Sequence, residues 1–387
     1  MPELAVDLGT PIFWCFFALA MFVLVPIVEG RVRTVFLAGL NLAFATLCVG
    51  RHGVPVLLAV IAGAYLAARA AHTKSLRSIA VAVGGLAILV LFLVHKLPSF
   101  ALLPGARPVL AAIGFSYVAL RLVELLRAMY DERQPVPSPF AVISYLLPFH
   151  MLAAGPIQSY DDFCGQPAVS ERLTVPAALD GVERVASGLF KKFVIAQALQ
   201  SVFLTGFTVK GPYLFVEAQI YYLWVYLDFS AYSDIAVGIG KLLGIATPEN
   251  FANPLIARNL IDFWERWHIS LSQFIRRNLF IPIQVALIRR SGGARPLAIA
   301  SLAFVISFLL CGLWHGVSLR FLIWGGMHAA ALVVTNLYKH ATQKRLGRAG
   351  VKAYLAKRPV RAVATLLTFE FVAFSLMFIV YPFAGGS

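Results

Sequence analysis

Apolar stretches close to the length needed to cross a lipid bilayer recur along almost the whole chain, and they restrict its fold more than any other feature. A membrane-crossing helix needs about 20 mostly apolar residues, with a range near 17–25. The good candidates are 11–28, 34–50, 54–68, 79–94, 140–154, 213–229, 296–313, 319–338 and 362–381, and the weaker ones are 109–126, 193–207 and 231–245. The sequence therefore predicts an all-α integral membrane protein with about 9–12 transmembrane helices. Several of these are short enough to be tilted or re-entrant.

The composition excludes a soluble globule. Of the 387 residues, 60% are hydrophobic and 13% are charged, and the charged share is about half that of a soluble domain. Because so much apolar surface cannot be buried in water, most of the chain must face lipid. We therefore expect residues 1–387 to form a single polytopic membrane domain. The segment before residue 11 lacks the Lys or Arg of a secretory signal, so the first apolar stretch is expected to remain as a helix.

Basic residues concentrate in the short loops, and this pattern predicts an orientation. The net charge is +15, but its distribution between apolar stretches is typical of membrane topology rather than of a nucleic-acid surface. The first loop (31–33) and the third loop (69–77) are predicted to be cytoplasmic, with the N-terminus outside. The run from Lys339 to Arg361 has eight Lys or Arg and no acid. We interpret it mainly as a topology determinant, with contact to anionic lipid headgroups as the alternative.

Polar residues interrupt the apolar pattern in the middle of the chain. An amphipathic pattern at 182–193 predicts a helix lying in the membrane interface. Residues 226–234 read YLDFSAYSD and place Asp228 in an apolar setting. An ionisable group at membrane depth faces a cavity or a partner. A hydrogen-bond network between helices and direct substrate contact are equally favoured explanations for this stretch.

Residues 250–283, which read NFANPLIARNLIDFWERWHISLSQFIRRNLFIPI, form a second polar stretch. It is too charged to span lipid and too apolar for a solvated loop, which favours an interfacial or re-entrant helix. Asp262 and Arg266 have the spacing of a helical ion pair, and Trp264 and His268 share another helix face. A histidine bonded to a nearby carboxylate is the alternative to a functional His268.

The apolar segment FLLCGLWHGVSLRF, residues 308–321, contains His315 between two glycines. A neutral imidazole, with a reference pKa near 6.5, can take a proton from an alcohol that attacks an activated acyl donor such as a thioester. A packing histidine bonded to a carbonyl is the alternative, and spacing alone favours it. Cys311 lies one helical turn earlier and raises a Cys–His acyl-enzyme alternative, although a buried cysteine is usually inert. His328 is expected either to line the same cavity or to pack between helices.

Five segments, taken jointly and in order, resemble the membrane-bound O-acyltransferase family. They are GFSYVALRLVELLRAMYD, LLPFHMLAAGPIQSYDDF, GLFKKFVIA, the stretch from YLDFSAYSD to FIRRNLFIPI, and GLWHGVSLRFLIWGGMHA. The likeness covers most of the chain after about residue 113 and points to the bacterial cell-envelope branch, which includes alginate O-acetylases and D-alanyl transferases of teichoic acid. It implies a multi-pass protein of the bacterial inner (plasma) membrane. The implied fold is a ring of helices, with short re-entrant or interfacial pieces, around a central tunnel open to both faces.

The resemblance also implies the site. His315 corresponds to the catalytic histidine, and His268 to the second motif residue, which is either catalytic or structural. The candidate substrate-binding residues in the same segments are Asp228, Asn250, Trp264, Trp314 and Ser270. Neither a metal nor a bound cofactor is implied, and the widely spaced cysteines lack any C-x-x-C motif.

The implied acyl donor is the thioester on the phosphopantetheine arm of an acyl carrier protein, whose acidity would suit the basic cytoplasmic loops. The acceptor is a hydroxyl of a cell-envelope polymer or a lipid-linked glycan. The ending TFEFVAFSLMFIVYPF resembles D-alanyl transferases and favours a D-alanyl group. Membrane lipids and a small accessory membrane subunit are further candidate partners, and no nucleic-acid partner is expected.

Three other functions stay open on the sequence alone. An O-acetyltransferase of an exopolysaccharide would use the same family chemistry. A transporter or flippase for an acylated or lipid-linked glycan belongs to another class, since transporters also contain discontinuous segments and polar groups at the membrane midplane. A non-catalytic scaffold of an envelope complex would require that neither His315 nor His268 matter.

Overall fold

The computed structural model describes residues 8–26, 30–100, 102–103, 105–152, 154–165, 173–204 and 213–380. These residues are predominantly helical and contain no strand beyond an isolated bridge between Phe251 and Trp267, which confirms the predicted all-α architecture. The helices are α1 (Pro11–Leu24), α2 (Gly30–His72), α3 (Arg77–Lys96), α4 (Ala106–Ala112), α5 (Phe115–Tyr130), α6 (Pro139–Leu146), α7 (Tyr160–Cys164), α8 (Val175–Phe190), α9 (Gln197–Leu199), α10 (Leu214–Leu242), α11 (Leu260–Trp264), α12 (Ile269–Ile275), α13 (Ile281–Ser291), α14 (Pro296–His315), α15 (Leu319–Ala356) and α16 (Arg358–Val380). Short 3₁₀ turns lie at Phe149–Met151 and Pro254–Ile256, and π-helical turns at Lys191–Ala196, Gln200–Leu204 and Arg276–Phe280.

Five of the described helices are long and apolar enough to cross a membrane, namely α2, α3, α14, α15 and α16. The pair α4 and α5, bent by 81°, makes a sixth span if it is counted as one. The helix α1 and the segment Pro139–Met151 are apolar but shorter. The chain is therefore a polytopic membrane protein, with fewer full-length crossings among its described residues than the about 9–12 that the stretch lengths predict.

Merging and shortening of the predicted stretches account for the difference. The stretches 34–50 and 54–68 are joined in α2, which breaks at Gly50 (φ 64°, ψ 171°). The stretches 213–229 and 231–245 become α10, a continuous helix of 29 residues that carries four charged side chains. The stretch 140–154 yields only α6 and a 3₁₀ turn. Parts of the predicted N-terminal, membrane-crossing and C-terminal segments, namely residues 1–7, 27–28, 153, 205–207 and 381–383, lie outside the described residues.

Contacts divide the chain into two compact units, one comprising Met1–Gly188 with Tyr232–Pro248 and the other Leu189–Ala231 with Glu249–Ser387. The first unit has an aromatic core, in which ring centroids lie 5.1–6.3 Å apart, formed by Phe13, Phe16, Phe44 and Phe149. Such ring pairs contribute beyond simple area burial. The prediction that residues 1–387 form a single domain stays a prediction.

Arg121 organises the irregular backbone that follows α6 in the first unit. Its side chain is fully buried in α5, and its guanidinium donates to the carbonyl oxygens of Leu146 at 3.2 Å and Met151 at 3.0 Å. Carbonyl groups outside regular helices need such donors when they are buried. Arg121 therefore has a structural role in the segment that the sequence motif LLPFHMLAAGPI encodes.

The amphipathic pattern at 182–193 falls in α8 and in the π-helical turn that follows it, and its predicted position in the membrane interface stays a prediction. Arg184 of α8 forms an ion pair of 2.6 Å with Asp234 of α10, within the first unit. The nitrogen–oxygen distance is that of a charge-assisted hydrogen bond. The Asp234 carboxylate in YLDFSAYSD thus supports packing between helices, which is one of the two explanations that the sequence left open for this stretch.

Candidate active site

His315 lies at a tight junction between two apolar helices of the second unit. It is the last residue of α14, and Gly316 is extended (φ −171°, ψ 139°) before α15 begins. The imidazole is partly exposed. The rings of Trp314 and Trp324 lie 4.7 and 5.2 Å from it, and the ring of Phe321 is parallel to it at 6.3 Å. His315 therefore lies at the end of α14 and is surrounded by aromatic rings.

Two glycines bring the backbones of α14 and α15 into contact beside this histidine. A Cβ atom on Gly312 would lie 2.3 Å from the carbonyl oxygen of Phe321, and one on Gly325 would lie 2.4 Å from that of Phe308. Side chains do not approach backbone atoms so closely, and small residues are typical of closely packed membrane helices. The glycine pair thereby fixes the position at which His315 leaves its helix.

His328 of α15 is held by hydrogen bonds at both ring nitrogens. The indole N–H of Trp264 donates to Nδ1 at 3.3 Å, and because an indole nitrogen only donates, Nδ1 must be the unprotonated nitrogen. The protonated Nε2 lies 3.0 Å from the Ser375 hydroxyl, which itself donates to the carbonyl oxygen of Val372 at 2.8 Å. His328 is therefore a packing residue with a fixed tautomer, which decides between the two roles that the sequence allowed.

His268 caps the start of α12 from an unusual backbone conformation. Its φ of 44° and ψ of 54° lie in the left-handed region, and its Nδ1 accepts the backbone N–H of Leu271 at 3.3 Å. The side chain is 2% exposed, and the ring of Phe229 meets its ring edge-to-face at 4.8 Å. With Nδ1 accepting, the neutral ring carries its proton on Nε2.

Burial keeps His268 uncharged. Burial, together with a smaller contribution from the charge of His315, lowers the pKa of His268 to about 3. Removing an imidazolium from water is costly, so burial favours the neutral form of a histidine. The two histidines are thus close enough to interact electrostatically, whereas the carboxylate partner considered for His268 on the sequence does not contribute to its pKa.

Asn250 and Ser270 hold the backbone that directly follows His268. The Asn250 side-chain oxygen accepts from the Ser270 backbone N–H at 3.2 Å and from its hydroxyl at 2.6 Å. The Asn250 carbonyl accepts from Ile269 N–H at 3.0 Å. Both side chains are almost completely buried. These bonds allow Asn250 and Ser270 to position His268, while their predicted contact with substrate stays a prediction.

The prediction that Trp264 and His268 share a helix face is wrong. The helix α11 ends at Trp264, and the left-handed conformation of His268 starts a separate helix, so the two residues are not on successive turns. The predicted ion pair between Asp262 and Arg266 is confirmed at 2.6 Å. Trp264 joins the site through its bond to His328 and an edge-to-face ring contact with Trp324 at 6.1 Å.

Asp228 forms an ion pair with Lys192 at 2.6 Å, and both side chains are partly buried. Its neighbour along α10, Phe229, is the residue that touches the His268 ring. The carboxylate is thus engaged by the protein, and its predicted contact with substrate stays a prediction. Cys311 is 3% exposed within α14. Among the described residues, no group of three or more His, Cys, Asp or Glu side chains is placed to hold a metal ion.

The structure therefore brings four of the predicted residues, His315, His268, Trp264 and Trp314, into one aromatic and histidine-rich site. Sequence reasoning missed Trp324, although its spacing of one helical turn from His328 was a usable signal. It also missed Ser375, which approaches His328 from a distant helix and has no local signal. Since His268 and His328 each use a ring nitrogen to accept a protein N–H, His315 remains as the candidate base of this site.

Comparison with known proteins finds bacterial relatives whose names describe acyl transfer to polymers. The chain is 27% identical to the teichoic acid D-alanyltransferase of Bacillus subtilis over 70% of its own length and 68% of that protein. It is 33% identical to the peptidoglycan O-acetyltransferase of Helicobacter pylori over 65% of its length. It is 32% identical to a probable alginate O-acetylase of Pseudomonas syringae over 58% of its length.

The chain spans less than half of the length of the two O-acetylating relatives, 48% and 43% respectively. The sequence model of the membrane-bound O-acyltransferase family matches residues 56–377, a range that contains both His268 and His315 as well as the glycine pair. With its apolar crossing helices and its histidine site at the end of α14, this chain belongs to the membrane-bound O-acyltransferase family.

Proposed function

We propose that this protein transfers an acyl group, with D-alanyl favoured, from a thioester to a hydroxyl of a cell-envelope polymer or a lipid-linked glycan. The donor would be the phosphopantetheine thioester of an acyl carrier protein on the cytoplasmic side. The acceptor would lie on the other side of the plasma membrane. The observation that carries the proposal is the partly exposed His315 within electrostatic reach of two histidines that are held as hydrogen-bonded neutral rings.

In this reaction His315 acts as the base. It takes the proton from the acceptor hydroxyl as the oxygen attacks the thioester carbonyl. The tetrahedral intermediate then collapses, the carbon–sulfur bond breaks, and the imidazolium returns the proton to the departing thiolate. An ester and a free thiol are formed, so atoms and charges balance. A positioned base of this kind contributes typically about 10²–10⁴-fold to a rate.

His268 would support the same step as a hydrogen-bond donor. Its Nδ1 is engaged by Leu271, so its Nε2 carries the proton and can donate to a developing negative charge. Asn250 and Ser270 hold the backbone that presents this ring. The neutral state of His268 suits this role, because a second cation would oppose the imidazolium that forms on His315.

The D-alanyl group is favoured by the extent of the similarity. The match with the D-alanyltransferase of Bacillus subtilis covers more of both chains than either match with an O-acetylating relative. The chain's net charge of +15 would suit an acidic carrier protein.

O-acetylation of an envelope polysaccharide is the second candidate. Its support is the higher identity, 33% and 32%, to the peptidoglycan and alginate enzymes over their shorter matched regions. The chemistry at His315 would be the same with either donor.

Transfer by the purified protein tests the proposal. The full chain is reconstituted in lipid nanodiscs with purified lipoteichoic acid and a carrier protein loaded with D-alanine as the thioester. Mass spectrometry measures the ester. We expect ester formation by the wild type, and a loss on the order of 10²–10⁴-fold in His315→Ala, because the base is removed.

His340→Ala is the matched control, since His340 is exposed and lies in the basic run away from the site. It should retain wild-type transfer. Full turnover by His315→Ala would remove the assigned base. Transfer of acetyl but not of D-alanine from the same carrier would establish the second candidate in place of the first.

A further inference from the structure

A groove of about 650 Å³ lies between the 3₁₀ turn Pro254–Ile256 and the first turns of α16, within the second unit. The Thr365 hydroxyl donates to the carbonyl oxygen of Ile256 at 3.4 Å and joins the two sides. Three arginines line the groove, namely Arg258, Arg358 and Arg361, together with apolar side chains that include Leu255, Ile256 and Leu366. The groove thus combines a strongly cationic part with an apolar wall.

No acid balances these arginines within the groove. None of the lining residues is an Asp or Glu, and no described carboxylate forms a salt bridge with Arg258, Arg358 or Arg361. Asp262 is near in sequence, but its oxygens accept from the backbone N–H of Arg258 and from the Arg266 guanidinium. All three guanidinium side chains belong to exposed residues. Guanidinium groups arranged in this way match the oxygens of a phosphate diester.

The apolar wall places this cationic site at the edge of the hydrocarbon layer. Ile256 is 59% exposed and Leu366 is 58% exposed, although both are large and hydrophobic. Both arginines of α16 lie in its first turn, and the rest of that helix is apolar enough to cross a membrane. Charged residues at the end of a crossing helix lie at headgroup level, and the apolar residues that follow face acyl chains.

We propose that this groove binds an anionic phospholipid, with the phosphate on the three arginines and an acyl chain along Ile256 and Leu366. A soluble phosphate would leave the apolar wall unused. The basic run before α16 is predicted to be cytoplasmic, and anionic lipids there attract basic residues near the membrane surface. The site is independent of the acyl-transfer chemistry at His315.

Native mass spectrometry of the full-length protein tests the proposal. The protein is titrated in detergent with phosphatidylglycerol and, separately, with phosphatidylcholine. We expect the wild type to retain phosphatidylglycerol preferentially. The triple variant Arg258→Gln, Arg358→Gln, Arg361→Gln should bind phosphatidylglycerol on the order of 10-fold to 100-fold more weakly. Each basic residue near an anionic lipid contributes favourably to the binding free energy.

The matched control removes three charges from the same basic run outside the groove, as Arg345→Gln, Arg348→Gln, Lys352→Gln, all at exposed positions. It should bind phosphatidylglycerol like the wild type. Equal losses in both triple variants would show diffuse charge attraction and overturn the site. Phosphatidylglycerol binding by the groove variant that equals that of the wild type would also overturn it. Melting temperatures close to wild type show that both variants are folded.

Discussion

At the scale of single residues, His268 combines a costly backbone conformation with a precise hydrogen bond. A non-glycine residue at φ 44° is uncommon, and for most side chains the left-handed region costs about 1–2 kcal/mol. The bonds that Asn250 accepts from Ile269 and Ser270 and the capping bond to Leu271 hold it there. Strain of this kind tends to be kept at functional sites.

Two substitutions of His268 distinguish its role as the N-cap of α12 from its proposed role as a hydrogen-bond donor. His268→Asn should keep the fold, because asparagine tolerates the left-handed region and its oxygen can accept the Leu271 N–H. His268→Ala should lose about 1 kcal/mol of stability with the cap. Acyl transfer should fall on the order of 100-fold in both variants, because both lack the ring donor. Thermal unfolding and ester formation are measured side by side.

A different pattern would contradict the assignment of His268 as a donor. If His268→Asn were as active as the wild type while His268→Ala alone lost activity, the residue would serve only to cap α12.

At the scale of structural elements, the success of sequence reasoning depends on whether a signal is local. The stretches 296–313 and 362–381 became α14 and α16 because they are long and almost wholly apolar, with Glu370 as their one charged residue. The break between Trp264 and His268 was missed because nothing in the sequence marks a histidine that adopts a left-handed conformation. The contact between His328 and Ser375 was not predictable either, since it joins helices that are distant along the chain.

The close packing of α14 against α15 leads us to predict that alanine is poorly tolerated at two glycines. Gly312→Ala and Gly325→Ala should each destabilise the protein by about 1–3 kcal/mol and reduce transfer, because the added methyl group would press on a backbone carbonyl. Gly326→Ala is the control on the same helix, since its nearest neighbour would be Leu309 Cδ2 at 3.8 Å. Alanine is also the better helix former. Denaturation in detergent measures the stability of all three variants.

Tolerance of Gly312→Ala and Gly325→Ala at the level of Gly326→Ala would show that the two helices can separate without loss. The backbone contact would then not be what fixes the position of His315.

At the scale of the whole molecule, buried neutral histidine links stability to pH. The pKa of His268 is about 3 in the folded protein, against 6.5 for a free side chain. Between these values the unfolded state binds more protons, so stability is fully present above pH 6.5 and is lost as the pH falls towards 3. The contribution of one such group has a slope of up to about 1.4 kcal/mol per pH unit.

The slope for His268 can be isolated by comparing the wild type with His268→Asn between pH 7.5 and 4.5. Every other titrating group is shared, so the difference in unfolding free energy belongs to position 268. We expect the wild type to lose stability more steeply on acidification. Parallel curves would mean that the imidazole is solvated in the folded protein.

Composition and the order of motifs were enough to predict a polytopic acyltransferase, because both average over many residues. The number of crossings was not, since it depends on breaks such as Gly50 in α2 and on the fusion of two apolar stretches into α10. The acyl group depends on side chains that contact the donor, and no motif in the sequence specifies these.

The locked tautomers of His268 and His328 have a practical consequence. Neither ring offers a lone pair that could replace the one lost in His315→Ala, so that variant has no substitute within the cluster. Both reactants should therefore accumulate side by side without reacting. The inactive protein would serve as a trap, with which electron cryo-microscopy could image the ternary complex just before bond formation.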